Sequence, residues 1–264
     1  MKNNSMVCAI NPTVYNKVKD WASLYQTAIP FSHVIIDNFL DESLAEYLLR
    51  DFPDVFVMNR SHHYLFANKY ELAIENTIST SFSEFYKEIT SSRLQLFVSE
   101  LVGEDLFVDA ELCGCIHQGI NGSFLDMHTD FNLHLLKNNW LHSLNIIIYL
   151  NKDWKEEFGG NLLLKSELKG ITSNIIPQFN RCIIMQSDDT TYHGYSQLKL
   201  PKGLTRKSIF VPIYKEELSD NLPPRHLTNF ATEQDSGFKF GFTKFYNSIT
   251  KLKAQLEHQF IKKS

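Results

Sequence analysis

His128-Thr129-Asp130 sets an imidazole and a carboxylate two residues apart. In an extended chain such residues project to one face, so the pair can grip a single cation. A third ligand must come from elsewhere. The best-placed candidate is His193, in Thr191-Tyr192-His193-Gly194 and just after a strand-like run at 181–185. Two imidazoles and one carboxylate form the facial set that holds non-haem Fe(II) and leaves positions open for a cosubstrate and O2. The mixed nitrogen and oxygen set disfavours a structural zinc site, which prefers closed tetrahedral ligation. Alone, His-x-Asp is weak, because chance produces it often and a lone His in a β protein is more often a hydrogen-bonded structural residue. Arg206 strengthens it: it lies on the last β-rich run, with Ser208 at the next same-face position. An Arg there binds the distal carboxylate of a dicarboxylate bidentately, and the Ser hydroxyl adds a hydrogen bond.

The elements that must carry these residues are short and β-rich. Between 106 and 214, runs at 106–116, 143–150, 162–164, 181–185 and 206–214 are separated by Gly, Asn, Asp and Pro. Many short strands without intervening helices predict an antiparallel sandwich or barrel. The first hundred residues read as mostly helical. Val14, Val18, Trp21 and Tyr25 recur at helical spacing, Asp41 suits an N-cap, residues 82–102 keep helical spacing, and Gly103 is placed as a stop. One strand-like run, 31–39, interrupts that region. Beyond 216, Phe245, Ile249, Leu252, Leu256 and Phe260 mark an amphipathic helix ending in Lys262-Lys263. The expected organisation is one catalytic domain: helical support over 1–105, a β core over 106–215, and a C-terminal extension over 216–264.

Six blocks in order then carry a resemblance. Gly122-Ser123-Phe124-Leu125-Asp126-Met127-His128-Thr129-Asp130, Tyr149-Leu150-Asn151-Lys152-Asp153-Trp154, Gly159-Gly160-Asn161-Leu162, Pro177-Gln178-Phe179-Asn180-Arg181, His193-Gly194 and Arg206-Lys207-Ser208 resemble the prolyl-4-hydroxylase-like branch of the Fe(II)/2-oxoglutarate dioxygenases. The resemblance covers roughly 94–214 and implies a mainly β fold with flanking helices, a double-stranded β-helix of the jelly-roll or cupin-like kind. It implies Fe(II), 2-oxoglutarate and O2 as cofactor and cosubstrates. It matches His128, Asp130 and His193 to the metal ligands, Arg206 to the 2-oxoglutarate salt-bridge Arg, and Tyr149 to a Tyr that binds the same carboxylate. Alternation on the strand puts Asn145 on the face of Tyr149, so the two enter the barrel together. One departure stands out: many prolyl hydroxylases carry a Tyr about ten residues before the first ligand, where this chain has His117-Gln118. Asp130 also argues against the related halogenases, which replace the carboxylate with a small residue.

Composition bounds the rest. With 43% hydrophobic residues, 20 Phe and 11 Tyr among 264, the chain can bury a sizeable core. A net charge of −4 provides no general reason to bind nucleic acid. No apolar run approaches the ~20 residues of a membrane span, so the expectation is an unexported, cytoplasmic protein without a membrane partner. Cys8, Cys113, Cys115 and Cys182 are too few and scattered for a disulfide framework and read as reduced thiols, with Cys113 and Cys115 on one strand face. Bland readings suit several prominent residues: turns for Gly159-Gly160 and Asp188-Asp189, structural or solvent roles for His134 and His142, and surface or lid contacts for His62-His63. The expected activity is hydroxylation of an unactivated C–H bond in a small-molecule or carrier-attached substrate, with release of succinate and CO2. Peptide hydroxylation, a metal-dependent barrel enzyme without 2-oxoglutarate, and a non-catalytic binding barrel stay open, as does the oligomeric state. The segments 61–70 and 131–142 are the candidate substrate rim.

Overall fold

The computed structural model describes residues 8–166, 172–218, 222–231 and 238–261. Its twelve strands are β1 (His33–Asp37), β2 (Arg60–Tyr64), β3 (Ala67–Ala73), β4 (Cys115–Gly119), β5 (Phe124–Thr129), β6 (Trp140–Tyr149), β7 (Leu162–Ser166), β8 (Thr172–Ile175), β9 (Arg181–Gln186), β10 (Thr191–Tyr195), β11 (Arg206–Glu216) and β12 (Asn229–Phe230). The helices are α1 (Pro12–Asn16), α2 (Val18–Thr27), α3 (Glu42–Arg50), α4 (Thr80–Ile89), α5 (Ser92–Val102) and α6 (Phe238–Ile261). Every strand pairing is antiparallel, in the order β1-β9-β6-β11-β4-β3-β5-β10-β7-β8, with β2 joined to β3 and β12 to β5. The sheet curls into a half-barrel flanked by helices, the jelly-roll form of the double-stranded β-helix.

Strand alternation makes one element serve two cores. Leu144, Ile146 and Ile148 of β6 join the apolar layer shared with α2, α3, α4 and α5, whereas Ile147 and Tyr149 face the concave side with Leu162, Leu164, Ile183 and Met185. The helices begin where local chemistry starts them: Asp41 caps α3 at Ser43 N and Leu44 N, and Ser79 and Ser91 cap α4 and α5. The 82–102 pattern is thus two helices, because Ser91 starts a new one. Gly103, at φ 84°, ends the second.

Three differences from the sequence expectations bear on the site. The segment 1–105 is more than helical support, because β1, β2 and β3 join the sheet and β3 lies between β4 and β5. Polar, weakly alternating residues such as Arg60-Ser61-His62-His63 conceal that hairpin. Cys113 and Cys115 also part company: Gly114 separates them at φ 129°, Cys113 enters the apolar core, and Cys115 lines the cavity. All four thiols are free. Finally, α6 packs through Thr243, Tyr246, Asn247 and Ala254, with Tyr246 against the Phe66 and Phe230 rings, while Phe245, Ile249 and Leu252 of the expected stripe are exposed. The side chains of Leu256 and Phe260, and Lys262-Lys263, lie outside the described residues. No described helix is long and apolar enough to cross a membrane.

Candidate active site

His128 lies on β5, Asp130 just beyond its end, and His193 opposite His128 on the neighbouring β10. The ligating atoms of the three all fall within 4.8 Å of one another. His128 Nε2 is 3.6 Å from Asp130 Oδ1 and His193 Nε2 is 3.6 Å from Asp130 Oδ2. The Nδ1–H of His128 donates to the Asp126 carbonyl at 2.8 Å, which leaves its Nε2 lone pair toward Asp130. The Asn145 amide donates to Asp130 Oδ2 at 2.7 Å. The two strands approach closely because residue 194 is Gly: a Cβ there would come within 2.7 Å of the Leu125 carbonyl oxygen. Burial, helped by the neighbouring His128, lowers the His193 pKa to about 3. Burial opposes ionisation of Asp130, but the adjacent imidazoles outweigh it and hold the carboxyl well below its usual range.

A second group of residues meets across the same concave face. Arg206 and Ser208 alternate on β11, with Tyr149 opposite Ser208 on β6. Arg206 is 5% exposed, donates through Nε to the Gly160 carbonyl at 2.8 Å and through Nη2 to the Tyr149 hydroxyl at 3.2 Å. Its guanidinium lies over the Tyr149 and Tyr195 rings, with its centre 4.9 and 4.2 Å from their centroids. Gly160, at φ +69°, makes the turn that supplies that carbonyl, and a Cβ there would crowd Leu198 and Arg206. Burial raises the Tyr149 pKa, so the phenol keeps its proton. Among the described residues no carboxylate forms an ion pair with Arg206, although a buried guanidinium requires a counter-charge.

The triad, Arg206, Ser208 and Tyr149 line one cavity of about 480 Å³. Asn145 points inward as alternation requires, yet its amide is engaged by Asp130, which makes it a support for that carboxylate. His117 faces the cavity, while Gln118 turns away and donates to Thr205 Oγ1 at 2.8 Å. His62 lines the cavity and His63 meets Asn68 at 2.8 Å on the other face. From the expected rim, Tyr64, Lys69, Phe131, His134 and Leu135 reach the cavity. His134 is tied to Asp109 at 2.9 Å, and His142 hydrogen-bonds the Phe131 and Leu144 carbonyls, both supporting roles. Asp188 Oδ1 accepts from Thr190 N at 2.7 Å, closing the turn before β10.

Sequence reasoning missed a C-terminal strap. β12 pairs with β5 at Asn229↔Thr129 and Phe230↔His128, and the Phe230 ring lies 5.7 Å from that of His128. Asn247 of α6 clamps the strand, accepting from Phe230 N at 3.1 Å and donating to Phe230 O at 2.8 Å. Upstream, Asn132 bonds both Pro224 O and His226 N, Arg225 donates to His134 O at 2.7 Å, and His226 meets Asp189 at 2.7 Å. The available signal was the polar cluster Arg225-His226 after two prolines, which no periodicity connects to the barrel.

The donor set fits Fe(II). A divalent cation among these atoms meets two imidazole nitrogens and an ionised carboxylate, with one imidazole and the carboxylate each oriented by a further hydrogen bond. The unpaired cationic end fits the far carboxylate of 2-oxoglutarate. The profile of the 2OG-Fe(II) oxygenase superfamily matches residues 115–213. No curated protein matches the chain. Among solved structures, a Pseudomonas putida prolyl-4-hydroxylase aligns at TM-score 0.56 and 14% identity, over 78% of this chain and 100% of that one. A prolyl hydroxylase from Trichoplax adhaerens, in complex with a hypoxia inducible factor oxygen degradation domain peptide fragment, aligns at TM-score 0.57 and 17% identity, over 78% and 91%. The non-haem α-ketoglutarate-dependent epimerase of nogalamycin biosynthesis aligns at TM-score 0.51 and 12% identity, over 76% and 83%. Residues 115–213 of this chain thus match the 2OG-Fe(II) oxygenase superfamily, a family whose chemistry uses Fe(II), 2-oxoglutarate and O2.

Proposed function

We propose that this oxygenase is a hydroxylase of a small or carrier-attached metabolite, with His128, Asp130 and His193 as iron ligands and Arg206, Ser208 and Tyr149 as the cosubstrate anchor. The observation that carries this reading is Arg206: a buried cation without a carboxylate partner among the described residues, opening on the cavity that holds the triad. When bound, Fe(II) supplies the oxidative decarboxylation of 2-oxoglutarate to succinate and CO2, with transfer of one oxygen atom into a C–H bond. The protein binds, orients and excludes water. Arg206 receives the far carboxylate, and the Tyr149 hydroxyl, whose oxygen already accepts from Arg206, has its proton left to donate to the same group. The Asp126 carbonyl and the Asn145 amide hold His128 and Asp130 in ligating orientation. Phe230 and Tyr195 cover the site with aromatic surface.

A small substrate is favoured by the size of the cavity, about 480 Å³, and by the strap and the β2–β3 hairpin that bound it. Clefts for small molecules span ~300–1,000 Å³. Anaerobic titration with Fe(II) and 2-oxoglutarate, followed by a succinate-formation screen of metabolite and peptide libraries, tests the reading. Substrate-stimulated succinate from metabolites is expected. Stimulation by peptides alone would reassign the substrate, and failure to bind 2-oxoglutarate would remove the activity.

A further inference from the structure

The triad and Arg206 do not account for the whole cavity. Its wall on β3 and β4 is a second polar pole made by Arg60, His62, Lys69, Glu71, Cys115 and His117. Lys69 and Glu71 are two apart on β3, so both side chains project to the concave face. Lys69 sits where β3 exchanges partners: Tyr70 onward pairs with β4, and Asn68 and Ala67 pair with β5, the strand that bears His128. Lys69 Nζ lies 2.8 Å from Glu71 Oε2 and 3.4 Å from His117 Nε2. The same carboxylate oxygen is 3.0 Å from His62 Nε2, and Arg60 Nη1 is 3.8 Å from Glu71 Oε1 at the more open edge.

Glu71, Cys115 and His117 have the types and spacing of a second metal site. The Lys69 ammonium excludes that reading, because it already stands against two of the three ligands as the cation of the cluster. Burial and the Lys69 charge lower the His117 pKa to about 3, and burial pushes the Cys115 thiol up, so both are neutral. The pole therefore presents paired charges of both signs together with neutral donors and acceptors. Desolvated ion pairs add little to stability, so one built into a cavity wall is a candidate for recognition.

The two ends of the cavity differ in kind. Arg206 has no carboxylate partner among the described residues and suits a simple anion. At Lys69 and Glu71 a lone anion would face Glu71 and a lone cation would face Lys69, whereas a ligand with both signs satisfies both. We infer that the Lys69–Glu71 pole is the substrate-head subsite of this oxygenase and takes the ammonium and carboxylate of a free, amino-acid-like zwitterion. This rests on the proposed hydroxylase reading and names its substrate class. The substrate carboxylate meets Lys69 and Arg60, its ammonium meets Glu71, and the remainder extends toward the triad.

The test uses the full chain, loaded anaerobically with Fe(II) and 2-oxoglutarate. The probes are free proteinogenic amino acids and small non-proteinogenic ones, each beside its N-acetyl and methyl-ester derivative. Binding is read by perturbation of the iron–2-oxoglutarate charge-transfer absorption and by calorimetry. At least one free zwitterion should bind, with both derivatives at least about tenfold weaker. Lys69→Met and Glu71→Gln should each weaken it by about a hundredfold, as expected when a buried charge loses its partner. The double variant, which leaves no isolated buried charge, controls for folding. In all three variants 2-oxoglutarate affinity should stay within about threefold of wild type. Absence of zwitterion binding, equal binding of the blocked derivatives, or indifference to both single substitutions overturns the inference. An equal loss of 2-oxoglutarate affinity would also overturn it, by moving the pole to the cosubstrate. Failure of the wild-type chain to bind 2-oxoglutarate at all would instead defeat the hydroxylase reading, and this inference with it.

Discussion

The side-chain amide of Asn145, in the middle of β6, donates to Asp130 Oδ2 at 2.7 Å and ties the carboxylate of the triad to the central sheet. Asn145→Ala should lower Fe(II) affinity by about ten- to a hundredfold, the usual effect of losing a group that orients a metal ligand. Anaerobic metal titration checks this, and unchanged affinity would mean that Asp130 needs no support from β6.

His193→Ala should abolish turnover and leave the chain folded, because the imidazole belongs to the polar face of the cavity and the apolar layers remain intact. Succinate formation measured beside circular dichroism separates the two effects. Turnover by a folded variant would overturn the ligand assignment.

Arg206→Ala should weaken 2-oxoglutarate by about a hundredfold, since a charged hydrogen-bonded partner is worth about 3 kcal/mol. Tyr149→Phe should cost about tenfold or less, as it removes one neutral donor while Arg206 stays. The ratio of the two apparent dissociation constants is the measurement. Equal effects would contradict the division of roles.

The strap should open independently of the barrel. Asn247→Ala removes both hydrogen bonds to the Phe230 backbone, about 1 kcal/mol each, so cleavage within the strap by a protease should quicken about thirtyfold. Because Phe230 packs beside His128, iron release should accelerate with it. A strap that stays protected would place its anchorage at Asn132 and Arg225 instead.

The strap also carries a pH signature. Burial opposes the charge on His226, but its bond to Asp189 outweighs burial and raises its pKa, with Lys251 opposing; Asp189 is lowered mainly by the same bond. A raised His stabilises fully below its unfolded value, about 6.5, and loses the contribution as pH rises through the folded value. A lowered Asp contributes above its unfolded value, about 3.9, and loses the contribution as pH falls through the folded one. Strap protection should therefore peak in mildly acidic solution and decline above neutrality. His226→Gln should flatten that profile between pH 5 and 8, as read by hydrogen exchange.

The sequence alone determined the parts of the site that obey short-range rules. His128 and Asp130 share a face because a strand alternates, and Asn145 accompanies Tyr149 for the same reason. Asp41, Ser208 and Gly103 were legible because capping, alternation and positive φ are local. The β-rich middle was legible because short apolar runs between turn residues leave few other folds. Tertiary structure decided what depends on distant pairings. The insertion of β3 between β4 and β5 could not be read from Ala67-Asn68-Lys69-Tyr70-Glu71, whose charges suit a solvated surface until the sheet turns them inward. Which of His117 and Gln118 faces the cavity was open until β4 acquired its register, since a one-residue shift exchanges the faces. The apolar stripe of α6 predicted a buried face, but the helix docks through Asn247, which bonds the Phe230 backbone, and Tyr246, which packs on the rings of Phe66 and Phe230, a seat that periodicity does not encode. The closing of the strap over His128 belongs to the same class: it joins residues far apart in the chain through bonds whose partners exist only once the barrel has formed.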